Sequence, residues 1–209
     1  MSVREIRTAT LAGGGTVETA IFVPDAYRGD TTTARPAVLF LHGWGGATAV
    51  PDAMGLAMDD GLLERIVTQP GLYDGARRRR GHLYVTGLST GGQGVFTIAS
   101  AFPSRFAAAA PIGSTYDERT PVCSMLDVPV WAFHGEFDTL QPPGNTTMYL
   151  DRLRTGCPMA PTTSPVSTLV SCRDAPSDHC GWIEAYDGTH GGSASGFTSI
   201  WSWLLSHTR

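Results

Sequence analysis

The sequence predicts an α/β fold built on a mostly parallel sheet with helices on both faces, and three observations carry that expectation. Apolar, β-branched runs alternate along the chain with segments whose apolar residues recur at helical spacing. The runs at 37–41 and 128–133 are almost uninterrupted, as strands covered on both faces are, and each leads into a His-Gly pair, His42-Gly43 and His134-Gly135. Between them, residues 83–94 read as strand, sharp turn and helix, with Ser89 at the turn. At 209 residues, 42% hydrophobic and 16% charged, the chain suffices for one buried core and reads as a single domain over 1–209.

In chain order, residues 3–11 and 16–23 are strand-forming stretches separated by Gly13-Gly14-Gly15, which predicts an antiparallel hairpin. Residues 28–35 are a polar loop, and Pro36 introduces the 37–41 strand, which ends in His42-Gly43-Trp44-Gly45-Gly46. Small residues at the end of a buried parallel strand let backbone N–H groups point into a crevice. Residues 52–73 predict a helix with Met54, Met58, Leu62, Leu63, Ile66 and Val67 as its apolar stripe. The arginine run 77–80 reads as a solvated loop before the strand at 83–86. Beyond the turn, Val95, Phe96, Ile98, Ala99 and Phe102 recur at helical spacing until Pro103. A small-residue strand follows at 106–112, the second buried strand at 128–133, and a helix over about 144–154 behind Pro142-Pro143, since proline is tolerated in a first helical turn. Residues 166–172 are the last strand, and Phe197, Ile200, Trp201, Leu204 and Leu205 predict a terminal helix packed into the core.

Composition removes several kinds of chemistry. All 15 basic residues are arginines, and without lysine there is no Walker-type phosphate loop, no Schiff base and no pyridoxal chemistry. A formal charge of −4, with no basic stripe beyond 77–80, argues against nucleic acid as a partner. No apolar run approaches a membrane span, and residues 1–15 hold no apolar stretch of signal-peptide type, so the expected location is the cytoplasm unless a leader has been removed. The four cysteines have no close Cys-x-x-Cys spacing, so no zinc site is expected; no other cofactor is expected either. Cys172 and Cys180 bracket a loop at the carboxyl edge of the sheet, whereas Cys123 and Cys157 precede strands and belong at the opposite edge. Because a strand of about six residues spans roughly 20 Å, any disulfides should join Cys172 to Cys180 and Cys123 to Cys157. Four reduced thiols are the alternative for a cytosolic protein.

The chemistry concentrates on Gly87-Leu88-Ser89-Thr90-Gly91, a G-x-S-x-G elbow that holds a serine in a strained conformation with its hydroxyl exposed. A nucleophilic serine needs a base to take its proton and a carboxylate to orient that base. Asp138 follows Gly135 at a strand mouth, where open α/β sheets place site residues, and Glu136 is the rival carboxylate. His179, in the loop after the last strand, completes the order Ser, Asp, His, with His190 as the rival base.

The stretch LYVTGLSTGGQGVFTIASAFPSRFAAAAPIGS resembles the elbow region of α/β-hydrolase carboxylesterases of the polyhydroxybutyrate depolymerase-like, feruloyl esterase-like and predicted peptidase-like esterase group. VPVWAFHGEFD is similar to that group's acid-bearing strand. The group's histidine, followed by tryptophan after three residues and then by tyrosine ahead of a Trp-Leu-Leu helix, is matched by His179, Trp182, Tyr186 and Trp203-Leu204-Leu205. The resemblance implies an α/β-hydrolase fold and hydrolysis of carboxylic esters through a serine acyl-enzyme, with Ser89, Asp138 and His179 as triad and small or polymeric esters as substrate. It further implies that the backbone N–H groups of Thr90 and Trp44 bind the oxyanion, with His42, Gly43 and Trp182 near the substrate. A serine peptidase or thioesterase on the same fold, and a degenerate binding protein, are the alternatives.

The chain departs from that group in one respect. Between the His-Gly strand and the elbow, the group carries a further strand and a long loop, whereas residues 44–82 hold only the helix and a polar connection. The 37–41 strand should therefore lie either beside the 16–23 strand or at an edge of the sheet, and an open edge would invite a second copy to pair. The missing loop would also leave the cleft less covered, which favours bulky esters.

Overall fold

A computed structural model describes residues 2–10, 16–23, 35–43, 78–170 and 200–209. The hairpin is present as β1 (Ser2–Thr10) and β2 (Thr16–Val23), paired antiparallel in a sheet of their own. The main sheet is five parallel strands in sequential order: β3 (Arg35–Leu41), β4 (Arg78–Leu88), β5 (Ala108–Ile112), β6 (Trp131–Gly135) and β7 (Val166–Val170). Among the described residues no strand stands between the hairpin and β3, so β3 heads the main sheet, the second of the two placements that the sequence leaves open. The helix expected at 52–73 lies outside the described residues.

Alternation along the strands divides the core into two layers. Leu39, Leu41, Leu83 and Val85 face helix α1 (Thr90–Ala101), which adds Val95, Phe96 and Ile98, and the same layer continues to α2 (Gly144–Asp151). On the opposite face Tyr84, Ala108, Ala110, Trp131 and Phe133 meet α3 (Ile200–Leu205) through Ile200, Trp203 and Leu204. Helices therefore cover both faces, as the alternating pattern predicts. β5 is buried throughout, and its alanines let α1 come close: a side chain at Gly92 would lie 2.7 Å from the Ile112 carbonyl oxygen. Phe96 of α1 stacks on Tyr149 of α2 with ring centroids 4.1 Å apart, so the helix after the serine and the helix after the acid are packed as one unit.

Three details differ from the sequence expectation. Arg78, Arg79 and Arg80 belong to β4, and Arg35 pairs with Arg78 across a register shift; backbone pairing with β3 overrides the solvated loop that their charge suggests. The buried stripe of α3 is Ile200, Trp203 and Leu204, while Trp201 and Leu205 are exposed, because spacings of three and four from residue 200 select 203 and 204. The helix behind Pro142-Pro143 is regular only to Asp151, and Arg152–Gly156 continues it as a wider π turn. That turn delivers Cys157 to Cys123, and the two form the disulfide expected at this edge, with Cα atoms 5.4 Å apart. Cys172 and Cys180 lie outside the described residues.

Candidate active site

β4 runs straight into α1 through Ser89, the one non-glycine residue with positive φ among those described, at φ 60° and ψ −121°. That conformation is sparsely populated for a residue with a Cβ and costs on the order of 1–3 kcal/mol, so the surroundings must impose it. They do so from three sides. The Ser89 N–H donates to the Ile112 carbonyl at 2.9 Å, fixing the turn to β5, and the Ser89 carbonyl accepts from the Gln93 N–H at 3.2 Å, starting the helix. A Cβ at Gly91 would run into the carbonyl oxygens of Leu41 and His42, and one at Gly87 would lie 2.5 Å from the Gly91 carbonyl. The two flanking glycines of the motif are thus a steric requirement of the turn.

The Ser89 hydroxyl makes no cap hydrogen bond to α1, so it is not consumed by the helix it precedes. The residue as a whole keeps only 6% exposure, less than an elbow serine leads one to expect. Part of the cover is the end of β3: a side chain at Gly43 would lie 3.1 Å from Ser89 Cβ and 3.1 Å from the Leu88 carbonyl oxygen. The end of the His-Gly pair therefore lies directly on the serine. His42 keeps Nδ1 2.8 Å from the Gly43 carbonyl, while its Nε2 and the Thr90 hydroxyl are buried without a hydrogen-bond partner among the described residues. Trp44 lies outside the described residues.

β6 ends two strands from β4 at the same carboxyl edge and leads into the candidate acid, Asp138. Asp138 is buried, with one carboxylate oxygen accepting from the Leu140 and Gln141 N–H groups at 3.0 and 2.7 Å. Glu136, the rival on the same turn, is exposed. Asp117, in the loop after β5, is held by Arg119 through contacts of 2.9 and 2.8 Å, and these hydrogen bonds keep its carboxyl below the usual carboxylate range. Of these three acids, Asp138 is the one that is both buried and at the carboxyl edge beside β6. His179, His190 and Trp182 lie outside the described residues.

Sequence reasoning missed the group that holds the acid turn. His134, read only as part of a His-Gly pair, is 1% exposed and contacts Thr146 of α2, the Gln141 carbonyl and Asp138. The available signal was a histidine four residues before the acid, at a strand position that its neighbours bury.

No protein-family model matches the chain, and no curated protein matches it by sequence. Solved structures do match its fold. A thermostable esterase superposes over 98% of this chain with a TM-score of 0.73 and 22% identity, and this chain spans 63% of its length. An esterase from Rhizomucor miehei matches over 86% of this chain and 76% of its own, with a TM-score of 0.57 and 13% identity. Prolyl oligopeptidase B from Galerina marginata matches over 79% of this chain and 32% of its own, with a TM-score of 0.57 and 13% identity. The fold is that of the α/β-hydrolases.

Proposed function

We propose that this chain is a serine hydrolase that cleaves carboxylic esters through an acyl-enzyme, with Ser89 as nucleophile, His179 as base and Asp138 as the acid that orients it. The observation that carries the reading is the strained Ser89 backbone at the β4 to α1 junction, with the His42-Gly43 loop packed against it. In the first step His179 takes the proton of the Ser89 hydroxyl as its oxygen attacks the ester carbonyl. Negative charge develops on that carbonyl oxygen, and the N–H groups of Thr90, at the first turn of α1, and of Trp44 hold it. The C–O bond to the alcohol then breaks, and the alcohol leaves with the proton from His179. Water, deprotonated by the same base, attacks the acyl group and releases the acid and the serine. Nothing in this scheme calls for a metal or cofactor.

His42, Gly43 and Trp182 would border the acyl group, and feruloyl, short-acyl or polyester compounds are the substrates that the resemblance in sequence suggests. The likeness to a prolyl oligopeptidase supports a second reading, a peptidase on the same fold, although this chain spans only 32% of that protein. A fluorophosphonate probe with mass mapping of the adduct tests the nucleophile, and a panel of short-acyl, feruloyl, polyester and prolyl-peptide substrates tests the class. Labelling at Ser89 with turnover of esters is expected. Ser89→Ala should lower ester turnover by roughly 10⁴-fold or more, because triad members act as a unit. A variant that keeps a tenth of the activity, or wild-type protein inert to the probe, refutes the proposal.

A further inference from the structure

We propose that His134 is a positioning residue for Asp138, acting through the peptide of Gln141 and held in place by Thr146; the inference rests on Asp138 being the triad acid. His134 Nε2 lies 2.5 Å from the Gln141 carbonyl oxygen, which can only accept, so Nε2 carries the ring proton. In the neutral ring Nδ1 is then an acceptor, and the Thr146 hydroxyl, 2.7 Å away and buried, donates to it. The Gln141 carbonyl therefore sets the tautomer, and one hydroxyl on α2 holds the rotation of an imidazole on β6.

The imidazole in turn sets the acid. Gln141 is gripped at both ends: its N–H donates to one carboxylate oxygen of Asp138 at 2.7 Å, and its carbonyl accepts from His134. With the Leu140 N–H on the same oxygen and the Asp138 N–H on the Gly135 carbonyl at 3.2 Å, the turn closes on itself. The other carboxylate oxygen faces His134 Nε2 at 3.7 Å, too long for a hydrogen bond yet on the positive edge of the ring. Glu136, the other acid on this turn, is exposed. Loosening any one link frees the Gln141 backbone between its two peptide groups and lets the carboxylate rotate with it. A misplacement of about 1 Å in a catalytic group can cost on the order of 100-fold in rate.

A histidine that merely filled the core would affect stability alone. A positioning residue also moves the base: an aligned carboxylate raises the pKa of the catalytic imidazole, so a rotated one lowers it and shifts the acid limb of kcat/KM to lower pH. The experiment compares Thr146→Val, which keeps the shape and removes the donor, with Thr146→Ser, which keeps the donor, on one activated ester from pH 4 to 9. Expected for Thr146→Val are a kcat about tenfold down, a KM within about twofold and an acid limb at lower pH, with Thr146→Ser close to wild type. A folded Thr146→Val with wild-type kcat and an unmoved limb overturns the role. If that variant does not fold, His134→Gln, judged on the same two quantities, decides it. Ser89→Ala measured alongside separates the two readings. A Ser89-dependent wild type with unmoved variants sinks this role alone, whereas an inert wild type sinks the esterase proposal and this role together.

Discussion

Reduction of the Cys123–Cys157 disulfide is expected to cost stability without costing chemistry. The bridge closes a loop of 34 residues that contains β6, the acid turn and α2. On the chain-entropy account, freeing a loop of that length returns about 12–13 cal/mol/K to the unfolded chain, or about 4 kcal/mol at 25 °C. For a domain of this size each kcal/mol shifts Tm by roughly 2–4 °C, so the reduced protein should melt about 8–16 °C lower. The bridge sits behind the start of β6, at the opposite edge from Asp138, so folded protein should turn over substrate equally well with or without it. Differential scanning calorimetry of wild type with and without reductant, beside the double variant Cys123→Ser/Cys157→Ser, measures the first quantity. Initial rates well below both transitions measure the second. A Tm change under about 3 °C would show that the reduced unfolded chain keeps this loop restricted without the bridge, and lost activity with unchanged circular dichroism would show that the bridge reaches the acid turn.

Of the two candidate bases, His179→Ala should lower kcat by several orders of magnitude and His190→Ala should cost little, with circular dichroism confirming both folds. The reverse result would exchange their roles. Gly91→Ala would drive a methyl into the carbonyls of Leu41 and His42 and should destabilise the fold by at least about 2 kcal/mol in urea titration; a silent substitution would mean the turn is looser than its contacts imply. Burial raises the Tyr149 phenol above its ordinary value of 10.0, with hydrogen bonds from Thr120 and Asp117 opposing the shift. The unfolded chain therefore ionises first as pH rises, so the stabilisation is complete below about pH 10 and is lost above it. Tyr149→Phe should flatten that alkaline fall in chemical denaturation, and an unaltered slope would assign the fall to other groups.

The elbow was legible in the sequence because its constraints are local. Gly87 and Gly91 flank Ser89 at the two positions where a side chain would meet backbone, and the apolar periods on either side change from strand to helix within a few residues. Asp138 was singled out in the sequence by its place after a buried strand, and in the structure it is buried where Glu136 is exposed. The grip of His134 on the acid turn was not legible, because it depends on Thr146, which joins it across 12 residues through the packing of α2 on β6. The arginines of β4 misled for a similar reason. Their charge describes the side chains, whereas strand membership was decided by a backbone partner at Arg35, on another segment.

The conformation of Ser89 also bears on the history of the chain. A positive φ at a residue with a side chain is a standing thermodynamic burden, and the substitution that would relieve it is glycine, one nucleotide change from some serine codons. A lineage that had given up catalysis would have no reason to resist that change, since most functional strain is retained only against a gradient toward greater stability. A non-catalytic descendant would be expected to lose first the serine, and later the two glycines that crowd it. In this chain all three stand together, each fitted against the end of β3, and the strain at Ser89 has not been relieved.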